Sequence, residues 1–149
     1  MSMYFPEEEQ AFRDGVEKGK MSVGGLTITQ MVEKCYSNAV KLGWAEKEVP
    51  VPEMCALIHS EVSEALEAYR NHEPLSWTRR MDGKPSSDSE INVLDPTMMK
   101  PEGIASEFAD VLIRIGHYSK LLGINLEYEV LRKLEYNLTR GHRHGGKAI

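Results

Sequence analysis

The 149-residue chain is predicted to fold as an all-α bundle of about four main helices. Three observations point there. Apolar residues recur at helical spacing in four stretches, glycines and prolines punctuate the ends of those stretches, and β-branched residues nowhere alternate with polar ones over a useful length. With 41% hydrophobic and 28% charged residues, the composition is that of one ordinary globular domain. No repeat period is visible, which excludes solenoids and propellers.

Residues 1–25 are polar, with few large apolar side chains, and read as an N-terminal arm or loose helix. The domain proper spans 26–140. Its first helix starts where a threonine of Leu26-Thr27-Ile28-Thr29 can act as N-cap. It carries Met31, Val32, Cys35, Tyr36, Ala39 and Leu42 on one face, and Gly43 stops it. Pro50 and Pro52 introduce a second helix through Met54, Leu57, Ile58, Val62, Ala65, Leu66 and Tyr69, ending near Arg70. Residues 71–101 lose the pattern, with Pro74, Gly83, Pro85, Pro96 and a serine-rich run marking a loop longer than compact domains usually carry. The periodicity returns from Ile104 through Phe108, Val111, Leu112, Ile115, Tyr118 and Leu122, and Gly123 halts it. After Asn125 it resumes through Val130, Leu131, Leu134 and Leu138. Residues 141–149 form a basic tail.

A formal charge of −5 is the wrong sign for a partner such as polymeric nucleic acid, which is held mainly through phosphate contacts. No apolar run reaches the roughly 18 residues that would span a bilayer, and the first residues lack the basic and apolar regions of a signal peptide. A cytoplasmic chain without a membrane partner is therefore expected. Cys35 and Cys55 have neither zinc-ligand nor redox spacing and are expected to be reduced, buried thiols. The chain carries no P-loop, HExxH or GxSxG motif, which disfavours the chemistries those motifs serve.

The charges that stand out are acids on the wrong side of their helices. At about 100° per residue, Met54, Leu57, Ile58, Ala65 and Ala68 all lie within roughly 60° of Glu61 around the second helix. Glu61 is thus predicted to point into the core, with Glu64 at the margin of the same face and Ser60 and Glu67 toward the polar side. The third helix repeats the pattern with Glu107 and Asp110. An unpaired carboxylate in a helical core costs several kcal/mol, so it must be protonated, paired or bound to metal. Arg114 and His117 are the nearest basic residues, and a core network with Arg114 is the structural alternative. Oxygen-only ligands select hard cations, and four acids could hold one Mg²⁺ or two, with Mn²⁺ as a substitute.

Glu61-Val-Ser-Glu64 and Glu107-Phe-Ala-Asp110 resemble the ExxE and ExxD signature of the MazG-like all-α nucleoside triphosphate pyrophosphohydrolases. The similarity covers most of the chain, including Pro101-Glu102-Gly103-Ile104, Leu112-Ile113-Arg114-Ile115 and the stretch from Lys133 to Arg140. The resemblance implies catalytic, metal-binding carboxylates at Glu61, Glu64, Glu107 and Asp110, and substrate contacts from Lys133 and Asn137. It also implies a homodimer or homotetramer whose substrate pocket lies between helices of neighbouring subunits. The chain departs from the family pattern at Ser60, where many members carry an acid, at Gly116-His117, and in the length of residues 71–101.

Lys133, Asn137 and Arg140 are spaced i, i+4 and i+7, which sets two cations and an amide on one stripe suited to a triphosphate. Trp77-Thr78-Arg79-Arg80 offers an aromatic surface and a guanidinium pair, the makings of a closing lid, although a loop tryptophan more often pins a loop to the core. His59 and His117 flank the acids and read as satisfied helix histidines. The expected activity is Mg²⁺-dependent hydrolysis of a (deoxy)nucleoside triphosphate to the monophosphate and pyrophosphate, in nucleotide house-cleaning. The base is left open, and the rival reading is a non-catalytic helical interaction protein with a structural cation or salt-bridge site.

Overall fold

A computed structural model describes residues 25–82 and 99–140. Most of the N-terminal arm, the serine-rich run and the basic tail lie outside the described residues. The order of elements is α1 (Ile28–Lys41), α2 (Val51–Arg70), β1 (Trp77–Arg80), β2 (Met99–Glu102), α3 (Ile104–Leu121) and α4 (Leu126–Leu138). No helix among the described residues is long and apolar enough to cross a membrane.

The helix ends follow from local chemistry. Thr27 caps α1 through a reciprocal box: its hydroxyl accepts from the Gln30 amide at 3.1 Å, and the Gln30 side chain accepts from the Thr27 amide at 2.9 Å. Pro50 precedes α2, where a missing N–H costs no helical bond. Asn125 caps α4, accepting from the Tyr128 amide at 3.1 Å. Gly43 and Gly123 lie at positive φ just past α1 and α3, as the sequence predicts.

The all-α expectation needs one correction. In the stretch expected to be loop, and one residue past its end, β1 and β2 pair antiparallel, Trp77 opposite Glu102 and Arg80 opposite Met99. Four-residue strands carrying Arg79, Arg80, Lys100 and Pro101 show no alternation to read, and Pro101 is tolerated because a two-stranded ribbon has a free edge on each side. Arg79 and Lys100 both pair with Glu102 across and along this ribbon. The Trp77 indole donates to Glu73 at 3.0 Å, tying the start of the ribbon to the end of α2.

Packing centres on α3, which α2 and α1 flank, whereas α4 touches chiefly α1. There Glu127 accepts from both the amide and the hydroxyl of Thr29, at 2.8 and 2.6 Å. The buried side chains are few and mostly small: Val32, Cys35 and Ala39 from α1, Met54, Ala65 and Ala68 from α2, and Tyr118 from α3. Small residues let the helices approach closely. A Cβ on Gly116 would stand 3.0 Å from the Cys35 sulfur, so glycine sets the α1–α3 spacing. Cys35 is buried as expected, but Cys55 is exposed, because it lies on the outer side of α2. No residue of α4 is buried. Its apolar row has the period of a core helix, and among the described residues nothing buries it.

Gly103 joins β2 to α3 at φ 88°, and a Cβ there would lie 2.5 Å from the Pro74 carbonyl oxygen and 2.9 Å from that of Leu75. Both the left-handed backbone and the missing side chain are required. Gly103→Ala is therefore expected to lower stability by at least about 2 kcal/mol, as strain and a backbone clash add. Urea unfolding of the two proteins measures it, and an unchanged midpoint would contradict this account of the junction.

Candidate metal centre

Glu61 comes from the middle of α2 and is buried, 6% exposed, as its place on the apolar face predicts. Glu64, one turn on, is exposed, and Glu107 and Asp110 of α3 are half-buried. Packing of α2 on α3 brings Glu61, Glu64 and Glu107 together, so that one carboxylate oxygen from each lies within 4.8 Å of the others. Asp110 is not in this group of three. It sits one turn along α3 and lines a separate cavity with Glu61.

Arg114 answers part of the charge. Its Nε donates to Glu61 Oε1 at 2.6 Å and its Nη2 lies 2.5 Å from the same oxygen, leaving Oε2 outside both contacts. The core network weighed from the sequence is therefore present at Glu61. Glu64, Glu107 and Asp110 have no such partner among the hydrogen bonds and ion pairs of the described residues.

Electrostatics reflect that excess. Burial, then repulsion from Glu64, Asp110 and Glu61, pushes the Glu107 carboxyl up from its ordinary value, against a smaller pull from Lys100. Asp110 is also raised, by burial and then by Glu61, with Arg114 and Lys100 opposing. Two carboxylates that resist ionisation beside a third already paired form a site that a divalent cation would relieve. With oxygen donors alone, the set suits Mg²⁺ or Mn²⁺.

Glu64 and Glu107 also line a cleft of about 190 Å³ with Glu67, Glu73 and Glu102. The sequence reading passed over the last two as site residues. Glu73 and Glu102 reach the cleft only because the ribbon folds back beside the end of α2, and no helical period reports that pairing. Lys133 and Asn137 are exposed on α4, but the helix ends at Leu138 and Arg140 lies beyond it, so the expected three-residue helical stripe is cut short; none of the three lines either cavity beside the acids. Lys133 instead lies 5.0 Å from the Tyr136 ring. Arg79 is committed to Glu102, and Trp77 to Glu73, so the ribbon anchors this segment.

His59 is exposed. His117 is buried, yet among the described residues its Nε2 has no hydrogen-bond partner, which departs from the expectation of a satisfied histidine. Its neighbours are the rings of Tyr118 at 5.0 Å and Tyr36 at 6.2 Å, which offer that nitrogen no hydrogen bond.

No protein-family model, curated protein or solved structure matches the chain. Geometry and residue chemistry carry the functional argument.

Raised carboxyl pKa values in the folded chain contribute stability below the ordinary carboxylate range, which is lost as pH rises through the raised values. Without divalent ions, Glu107→Gln is expected to raise Tm at pH 7 by about 1–2 °C, the effect of removing a few tenths of a kcal/mol of like-charge repulsion. The gain should vanish at pH 4, and Mg²⁺ should stabilise the parent more than the variant. Scanning calorimetry at both pH values decides it; a variant less stable than the parent at pH 7 without metal would count against a repulsive cluster.

Proposed function

We propose that the chain is a Mg²⁺-dependent nucleoside triphosphate pyrophosphohydrolase, cleaving between the α and β phosphates to release a nucleoside monophosphate and pyrophosphate. The convergence of Glu61, Glu64 and Glu107 from two helices carries this reading. Acids placed for solubility would spread apart; these three crowd where a hard cation could replace their lost hydration.

In this reading the three glutamates hold the ion, and Asp110 stands beside them as a further ligand or proton acceptor. Bound there, Mg²⁺ supplies neutralisation of phosphate charge and a lowered pKa for an attacking water. Arg114 holds Glu61 through one oxygen and leaves the other for the cluster, so it fixes the carboxylate's orientation. Which carboxylate takes the water's proton is left unassigned.

Self-association belongs to the same proposal. Val62, Leu66 and Tyr69 form an exposed stripe on α2, and Phe108 and Leu112 one on α3. Apolar surface of this extent, added to the apolar row of α4 that no described residue buries, fits a homodimer or homotetramer. In such an assembly Lys133, Asn137 and Arg140 of one copy would serve the acids of another.

The rival reading, a non-catalytic helical interaction protein with a salt-bridge site, is favoured by one observation, the Arg114–Glu61 pair. Pyrophosphate release over a panel of (deoxy)nucleoside triphosphates, with and without Mg²⁺, separates the two. Turnover is expected only with the metal, and Glu64→Gln and Glu107→Gln should each lower it more than about 100-fold, beyond the range for residues that merely support a ligand. Undiminished turnover in both variants rejects the site; no turnover on any triphosphate favours the salt-bridge reading. By analytical ultracentrifugation, Leu66→Glu with Leu112→Glu is expected to convert the assembly to monomer, and a parent already monomeric would refute the assembly.

A further inference from the structure

The β1–β2 ribbon carries a charge arrangement that its own stability does not explain. Residues directly opposite in an antiparallel pair share a face, and Arg79 lies opposite Lys100. Two cations so placed, with Cβ atoms about 5 Å apart, repel and weaken the pairing. Glu102, two residues along β2 from Lys100, lies on the same face and answers both. Arg79 pairs with its Oε1, and the Lys100 ammonium donates to Oε1 at 3.1 Å and to Oε2 at 3.0 Å. One carboxylate serves two cations, so the trio keeps an uncompensated positive charge.

That charge stands beside the acids. Glu102 lines the 190 Å³ cleft with Glu64 and Glu107, and Trp77, on the same face of the ribbon, is tied to Glu73 of the same cleft. The charge of Lys100 is felt by the carboxyls of both Glu107 and Asp110. Among the described residues that line the cleft there is no cation. Arg114 answers Glu61, and one divalent ion would do no more than offset Glu64 and Glu107. A polyphosphate held by that ion still needs a cation of its own.

We propose that Lys100 is a phosphate-binding residue that holds the pyrophosphate portion of a polyphosphate substrate at the mouth of this cleft. The assignment rests on the reading of the glutamates as a metal centre for that substrate. Arg79 and Lys100 are not equivalent here. Arg79 stays with Glu102, whose side chain is only 12% exposed and would be costly to leave unpaired. Lys100 is 54% exposed and sits on a flexible four-carbon stem, so it leaves Glu102 without stranding a charge and brings three donors to phosphate oxygens. An ion pair this exposed contributes little, and its exchange for an anion of higher charge is favourable.

The test uses the full chain, inorganic pyrophosphate as the probe and calorimetry as the readout, at fixed free Mg²⁺ and again without it, alongside Mg²⁺ alone. The parent loaded with Mg²⁺ is expected to bind pyrophosphate. Lys100→Met, which keeps the stem and removes the charge, should weaken that binding about tenfold or more, whereas Lys100→Arg should stay within about threefold of the parent. Mg²⁺ alone should bind Lys100→Met at least as tightly as the parent, because a cation beside the acids is gone. The inference is overturned if the parent binds Mg²⁺ but not pyrophosphate, if Lys100→Met binds pyrophosphate as tightly as the parent, or if that variant loses both ligands together, which marks damage to the centre. If Mg²⁺ does not bind at all, yet pyrophosphate binds and is weakened in Lys100→Met, the reading of the glutamates fails and the assignment of Lys100 stands. If neither ligand binds the parent, both fail.

Discussion

The contact between Glu61 and Arg114 is the constraint on which the rest of this structure depends. A carboxylate in the middle of an apolar helix face forbids any packing of α2 that leaves it unpaired, so it selects the arrangement in which α3 presents Arg114 beside it. Deleting one partner of a buried pair costs about 3–5 kcal/mol. Arg114 is about one-third exposed, which sets this pair toward the lower end of that range, still a large share of the stability of a domain this size. Once Arg114 is registered against Glu61, Glu107 and Asp110 follow on the same helix, two turns and one turn earlier. The register that satisfies one acid thereby crowds the others.

That crowding separates two roles within one set of acids. Glu61 is neutralised within the fold, whereas Glu64 and Glu107 have no such partner among the described residues, and Asp110 lines the cavity it shares with Glu61. The fold tolerates the arrangement because Glu64 is exposed and Glu107 and Asp110 only half-buried, so water still screens part of the repulsion. Around them alanines, a cysteine and a glycine make up much of the core beside Val32, Met54 and Tyr118, which draws the helices close and leaves many larger apolar side chains on the outside.

Much of this was legible in the sequence, for a definite reason. Helical period reports which residues share a face, and it placed Met54, Glu61, Ala65 and Ala68 together on α2; Thr27, Gly43, Pro50, Gly123 and Asn125 then marked the ends. Period cannot report what covers a face, and the misreadings share that root. Leu66 and Leu134 have the spacing of core residues but no cover among the described residues, and Cys55, expected inside, lies outside. The β1–β2 ribbon escaped notice because its pairing joins residues some twenty positions apart and leaves no local signature. His117 looked ordinary, since an unmet hydrogen bond appears only in three dimensions.

The ribbon has an architectural meaning that outlasts its four residues per strand. Because Arg80 faces Met99, the end of β1 and the start of β2 are neighbouring points, about 5 Å apart in such pairs. The paired strands thus stand, along the chain, between that junction and the Gly103 turn that leads to Glu107. A change of length between those two points costs little loop-closure entropy, because the pairing of β1 with β2 already brings both ends together.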